Sequence, residues 1–136
     1  MNNYDINRPM ANSNINYINN LAGLYTGYIR GNMFNNLYDQ YKDYIPTMLN
    51  TKTDKDQYLL DLNQAQFAMN DIGLYLDNFP NDTNMINEFN KSRVLYKELL
   101  KEYEKRFGPL ELCSDSLNNT PWLWNNKPWP WERIGK

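Results

Sequence analysis

The sequence predicts an all-α protein, an antiparallel two-helix hairpin with aromatic-rich, largely extended N- and C-terminal segments. Three observations lead there. Apolar side chains recur four and three apart between residues 54 and 107, a single Pro80-Asn81 break divides that run, and the flanking segments lose the periodicity while keeping tyrosines and tryptophans. At 136 residues the chain has room for one small domain, so any large core has to come from association.

Residues 1–20 are dominated by asparagine with no sustained periodicity, which predicts a flexible arm. Residues 21–53 form an aromatic segment, with Tyr25, Tyr28, Phe34, Tyr38, Tyr41 and Tyr44 set among Gly23, Gly27 and Gly31. Phe34, Leu37, Tyr38 and Tyr41 fall at helical spacing, predicting a short helix over residues 32–44 that Pro46 ends.

The hairpin occupies residues 54–109. Thr53 or Asp54 caps a first helix whose seam is Tyr58, Leu62, Ala65, Met69, Ile72, Leu76 and Phe79. Asp82 is the expected cap of a second helix, with a seam of Ile86, Phe89, Tyr96, Leu100, Tyr103 and Phe107 that Arg93 interrupts and Leu95 and Leu99 widen. Lys101, Lys105 and Arg106 favour the negative end of its dipole, and Gly108-Pro109 stops it. So short a connection predicts that the two helices lie antiparallel.

A second apolar row on the first helix calls for a cover. Leu60, Phe67 and Leu74 recur every seven residues nearly opposite the main seam, and leaving them wet forgoes about 1.5 to 3 kcal/mol each. Either the terminal segments or another protein should cover them. Gly73 lies between the two faces, where a close helix approach would rationalise it.

Residues 110–136 form a Pro/Trp-rich tail. Pro121, Pro128 and Pro130 favour an extended conformation that displays Trp122, Trp124, Trp129 and Trp131. These rings either complete the hairpin core or dock on a partner.

The chemistry of the chain is sparse. Without histidine there is no imidazole base or ligand, and no glycine pattern matches a phosphate-binding loop. Glu88, Glu98, Glu102 and Glu104 stand near Lys91, Lys97, Lys101 and Lys105 and read as a solvated helix face, with Asp71 and Asp77 likewise on the surface. The expectation is a protein that is not an enzyme and holds neither cofactor nor metal. A net charge of −2 disfavours phosphate-driven nucleic-acid binding and anionic membranes. Cys113, the only cysteine, excludes an internal disulfide and reads as an ordinary thiol rather than a crosslink. The start MNNYDINRPM lacks a signal pattern, so its three Asn-x-Ser/Thr triplets read as chance in a chain made and kept in the cytoplasm.

Phe67, Leu74-Tyr75-Leu76-Asp77, Pro80-Asn81-Asp82, Tyr103-Glu104, Phe107-Gly108-Pro109-Leu110 and Pro128-Trp129-Pro130-Trp131-Glu132 together resemble the spore coat CotJB family, over about residues 57–132. That family usually has His where Phe79 stands here. Arg30-Gly31-Asn32-Met33-Phe34 with Leu37-Tyr38 and Tyr41 resembles the closing motif of the companion coat protein CotJA, although Asn35 replaces a usual proline.

The resemblance implies a polypeptide made in the mother cell and deposited in the spore coat, assembling with CotJA-like protein and with CotJC, a manganese-catalase-like protein that would own the catalase chemistry. The partner-binding residues expected on this reading are Leu60, Phe67, Leu74, Phe34, Leu37, Tyr38, Tyr41, Trp122, Trp124, Trp129 and Trp131. The leading function is a structural scaffold that packs on partners or on copies of itself. The alternatives are a regulator of access to the catalase-like active site and, more weakly, a glycan or single-strand binding module using the tryptophans. Tyrosine crosslinking is a further, less favoured use of Tyr25, Tyr28, Tyr38, Tyr41 and Tyr44.

Overall fold

The computed structural model describes residues 20–37, 42–125 and 132. Helices α1 (Leu24–Arg30), α2 (Asp54–Asn78) and α3 (Thr83–Phe107) are followed by 3-10 turns at Asp115–Leu117 and Leu123–Asn125. Among the described residues there is no strand, only an isolated antiparallel bridge between Leu21 and Phe34. No helix among them is long and apolar enough to cross a membrane. The chain divides into two compact units, Met1–Leu100 and Lys101–Lys136.

An N-terminal helix lies earlier than the spacing predicts, at Leu24–Arg30, and of the expected 32–44 helix the described residues 32–37 and 42–44 are not helical while 38–41 lie outside the described residues. Gly31 takes a left-handed φ of 72° at the C-cap, which stops α1. Beyond it the Asn32 side chain accepts the Phe34 N–H at 2.8 Å, a local bond that competes with helix formation. The chain then returns beside the segment before α1, with Ala22 N–H donating to the Met33 carbonyl at 2.7 Å and Asn35 N–H to that of Asn20 at 2.9 Å. Phe34 and Met33 are thereby buried, not spread along a helix.

Gly27 makes this return possible. A Cβ there would run into the Met33 sulfur and stand 3.3 Å from its Cα, so only hydrogen lets the buried Met33 lie against α1. Gly73 is different, since an added Cβ would meet Phe89 at 3.6 Å, an ordinary contact that does not require glycine.

Helices α2 and α3 begin as expected. Thr53 Oγ1 accepts the Asp56 N–H at 3.1 Å, with Asp54 and Asp56 in the first turn of α2. Asp82 Oδ1 accepts the Met85 N–H at 3.1 Å, while its Oδ2 takes the Tyr75 hydroxyl at 2.8 Å. Each helix has 25 residues, hence about 37 Å of length.

Two apolar clusters hold the first unit together. One joins Leu21, Leu24, Met33 and Phe34 to Ala68 and Ile72 of α2 and to Met85 of α3. The other joins Leu62 and Ala65 to Leu99.

The seams are displaced from their predicted register. On α2, Tyr58, Leu62, Ala65 and Ile72 are buried as expected, but Ala68 joins them, Met69 and Leu76 are half-buried and Phe79 is exposed. On α3 the buried positions are Met85, Glu88, Ser92, Leu99 and Tyr103, so of the predicted positions Tyr103 and the widening Leu99 are fully inside and the others are only half-buried. Two polar residues at interior positions, Glu88 and Ser92, hide this register from a count of apolar residues. Glu88 is therefore no part of a solvated face. It is fully buried and accepts Lys91 Nζ at 2.7 Å.

In the second unit, Glu104 organises the turn after α3. Its carboxylate accepts the Leu110 N–H at 3.3 Å and the Ser114 hydroxyl at 2.7 Å, a structural role in place of a surface one. Leu117 is buried in the turn that follows. Where the tail was expected to be largely extended, its described residues include the two 3-10 turns.

Candidate partner-docking surface

The surface begins with a polar tie. Asp71 Oδ2 accepts the Met33 N–H at 2.8 Å, fixing the segment after α1 onto α2 by a charge-assisted bond. That placement stacks Phe34 on Tyr75, with ring centroids 5.0 Å apart and planes 27° from parallel. Tyr75 is followed by Phe79 at 4.7 Å and 31°, giving three rings in a row.

The rings line a groove completed by Leu37 and Leu74, with Asp71, Asp77 and Asn78 supplying its polar atoms. Leu74 is 65% exposed, Phe79 54% and Leu37 45%. Large apolar side chains gathered in water are what makes this groove a candidate docking surface.

Electrostatics fix the corner beside it. The Met85 N–H, followed by the Tyr75 hydroxyl, holds the Asp82 carboxyl below its ordinary 3.8. The same hydrogen bond raises the Tyr75 phenol above its ordinary 10.0, so Tyr75 stays neutral and its ring is anchored at the α2–α3 turn.

The expected partner-binding residues scatter. Phe34, Leu37 and Leu74 come together at the groove. Phe67 is half-buried, its ring edge-on to Tyr28 at 5.9 Å, so α1 already covers the middle of that apolar row. Leu60 is half-buried away from the groove lining. Trp122 is exposed and Trp124 half-buried in the second unit, while Tyr38, Tyr41, Trp129 and Trp131 lie outside the described residues. Sequence reasoning missed Tyr75 and Asp71 and gave Phe79 to the interior seam. The position of Phe79 directly before Pro80 was the available signal, since a seam cannot continue past the helix end.

A second exposed apolar stretch also escaped notice. Tyr44, Ile45, Met48 and Leu49 are exposed in the non-helical run before α2, tied down where the Tyr25 hydroxyl accepts the Leu49 N–H at 2.9 Å. Cys113 is exposed, and a hydrogen bond to Glu111 raises its thiol above the ordinary 9.0, which keeps the thiolate scarce near neutrality. Among the described residues no group of three or more His, Cys, Asp or Glu is arranged to hold a metal ion.

A family model described as CotJB protein matches residues 56–132, more than half the chain. The chain belongs to the CotJB family. It is accordingly a spore-coat-related protein. No curated protein and no solved structure gives a match. The CotJB match begins in the first turn of α2 and runs past the second 3-10 turn. Asp71, Leu74, Tyr75, Asp77 and Phe79 therefore lie within the CotJB span, while Phe34 and Leu37 come from the segment preceding it.

Proposed function

We propose that this CotJB protein is a non-catalytic scaffold of the spore coat, made in the mother cell and packing against partner coat proteins, including a CotJC-like manganese-catalase-like subunit. Its α2 and α3 serve as an antiparallel hairpin on which other chains assemble. One observation carries the reading: Leu37, Leu74 and Phe79, drawn from two segments of the chain, crowd into one groove with about half of each side chain in water. Keeping such an apolar cluster exposed is costly unless a partner covers it.

The CotJA-like residues give the reading a second support. Met33 and Phe34 sit on α2 through the Asp71 tie and the Tyr75 stack. On this reading the chain fuses a CotJA-like segment to a CotJB-like body, so that one contact of the assembly is made within a single polypeptide. The remaining groove and the tryptophan tail then serve the catalase-like partner.

Co-expression with a CotJC-like manganese catalase tests this. The expected result is a stable complex that survives size exclusion, is lost on Leu74→Asp, is weakened when all four tryptophans are replaced, and leaves catalase turnover unchanged. A Leu74→Asp chain that folds and binds as well as the parent sinks the docking role, and a change in turnover sinks the purely structural one.

A further inference from the structure

The groove carries a chemical preference beyond its apolar character. Its rings form a ladder, Phe34 on Tyr75 at 5.0 Å and Tyr75 on Phe79 at 4.7 Å, in which Phe34 is buried, Tyr75 is covered by its neighbours, and Phe79 ends the row more than half exposed. Two carboxylates, Asp71 and Asp77, share the lining with these rings, and among the described residues no Lys or Arg does. Arg30 donates to the Phe34 carbonyl at 3.3 Å and to the Asn35 side chain at 2.9 Å, and is not a lining residue.

An aromatic face beside carboxylates is a cation site, because the ring quadrupole and the carboxylate charge attract the same sign. Apolar side chains on both sides demand that the cation come on an apolar segment. Arginine fits better than lysine, since its planar, weakly hydrated guanidinium stacks on a ring while bonding a carboxylate edge-on.

We propose that this groove takes an arginine side chain borne on an apolar segment of the partner, the guanidinium lying on the open face of Phe79 beside Asp77, and the flanking apolar residues covering Leu37 and Leu74. This rests on the docking role proposed above and specifies the partner's chemistry.

The test uses the full chain and three synthetic pentapeptides that place arginine, lysine or citrulline between leucine pairs, followed by amide chemical shifts and titration calorimetry. Citrulline keeps the shape of arginine without its charge. The arginine peptide should shift Leu37, Leu74 and Phe79 and bind about three- to ten-fold more tightly than the lysine peptide, with citrulline weaker still. Phe79→Leu keeps an apolar side chain but removes the ring, and should erase the advantage of arginine over citrulline. Asp77→Asn should lower arginine-peptide affinity several-fold and flatten its salt dependence.

Equal binding of the arginine and citrulline peptides at the groove overturns the cation site while leaving apolar docking intact. Shifts confined to other surfaces, as non-specific attraction to a chain of net charge −2 would give, overturn it too. A stable dimer that buries Leu74 would assign the groove to a second copy and exclude the arginine segment.

Discussion

The α2–α3 interior and the corner where α1 meets α2 are built on opposite plans. Beside Leu62, Ala65, Ile72 and Leu99, the interior positions of α2 and α3 include Asp61, Gln64, Glu88 and Ser92, all essentially fully buried. The amide of Gln64, Oε2 of Glu88 and Oγ of Ser92 have no hydrogen-bond partner among the described residues. At the corner, Leu21, Leu24, Met33 and Phe34 close an apolar cluster whose polar tie, Met33 to Asp71, is satisfied. Burying unmet polar groups costs stability. The corner supplies adhesion, and its excess of apolar surface spills into the groove.

The largest effect should come from the corner. Met33→Ala empties a fully buried site and is expected to cost about 2 to 5 kcal/mol, seen as a lower urea midpoint at unchanged slope. A loss below about 1 kcal/mol would show that α1 and its return segment are only loosely attached.

Gly27→Ala comes next. Alanine is the better helix former, yet its methyl group collides with Met33, and overpacking should cost about 1 to 3 kcal/mol. The double variant Gly27→Ala with Met33→Ala should recover part of that loss in a double-mutant cycle.

Gln64→Leu tests the opposite plan. Replacing an amide with no protein partner by an apolar group of similar size should raise stability by about 1 kcal/mol, measured by the same denaturation. A loss instead would mean that the amide is satisfied by water and that the two regions differ less than their contacts suggest.

The smallest effect is confined to acid. Asp82 has a lowered carboxyl pKa in the folded chain, so its stabilising contribution is complete above the ordinary 3.8 and disappears as pH falls from there through the lowered value. Asp82→Asn should remove this segment of the acid-unfolding curve while leaving stability between pH 6 and 8 nearly flat. An unchanged acid slope would assign the acid sensitivity to other carboxyls.

Local signals carried most of what the sequence reveals about the helices. Thr53, Asp82, Pro80 and Gly108 mark ends because each acts on the few backbone groups beside it. The register of α3 was not legible, because Glu88 and Ser92 are polar residues at interior positions and a count of apolar side chains steps around them. Helix α1 was missed because a seven-residue helix among glycines carries too few periods to be seen. Of the groove, Leu74 was visible as one member of a seven-residue repeat. Its company was not, since Phe34 and Leu37 reach it only through the Asp71 tie, a contact across 38 residues that no spacing rule encodes.

Gly27 has one more consequence, for oxidation. The Met33 thioether is fully buried against that glycine, whereas Met48 is 63% exposed beside the Tyr25 hydroxyl. Peroxide arriving at this protein will turn Met48 into its sulfoxide long before it reaches Met33, so the outer strap weathers chemical attack while the helical corner stays in its reduced form.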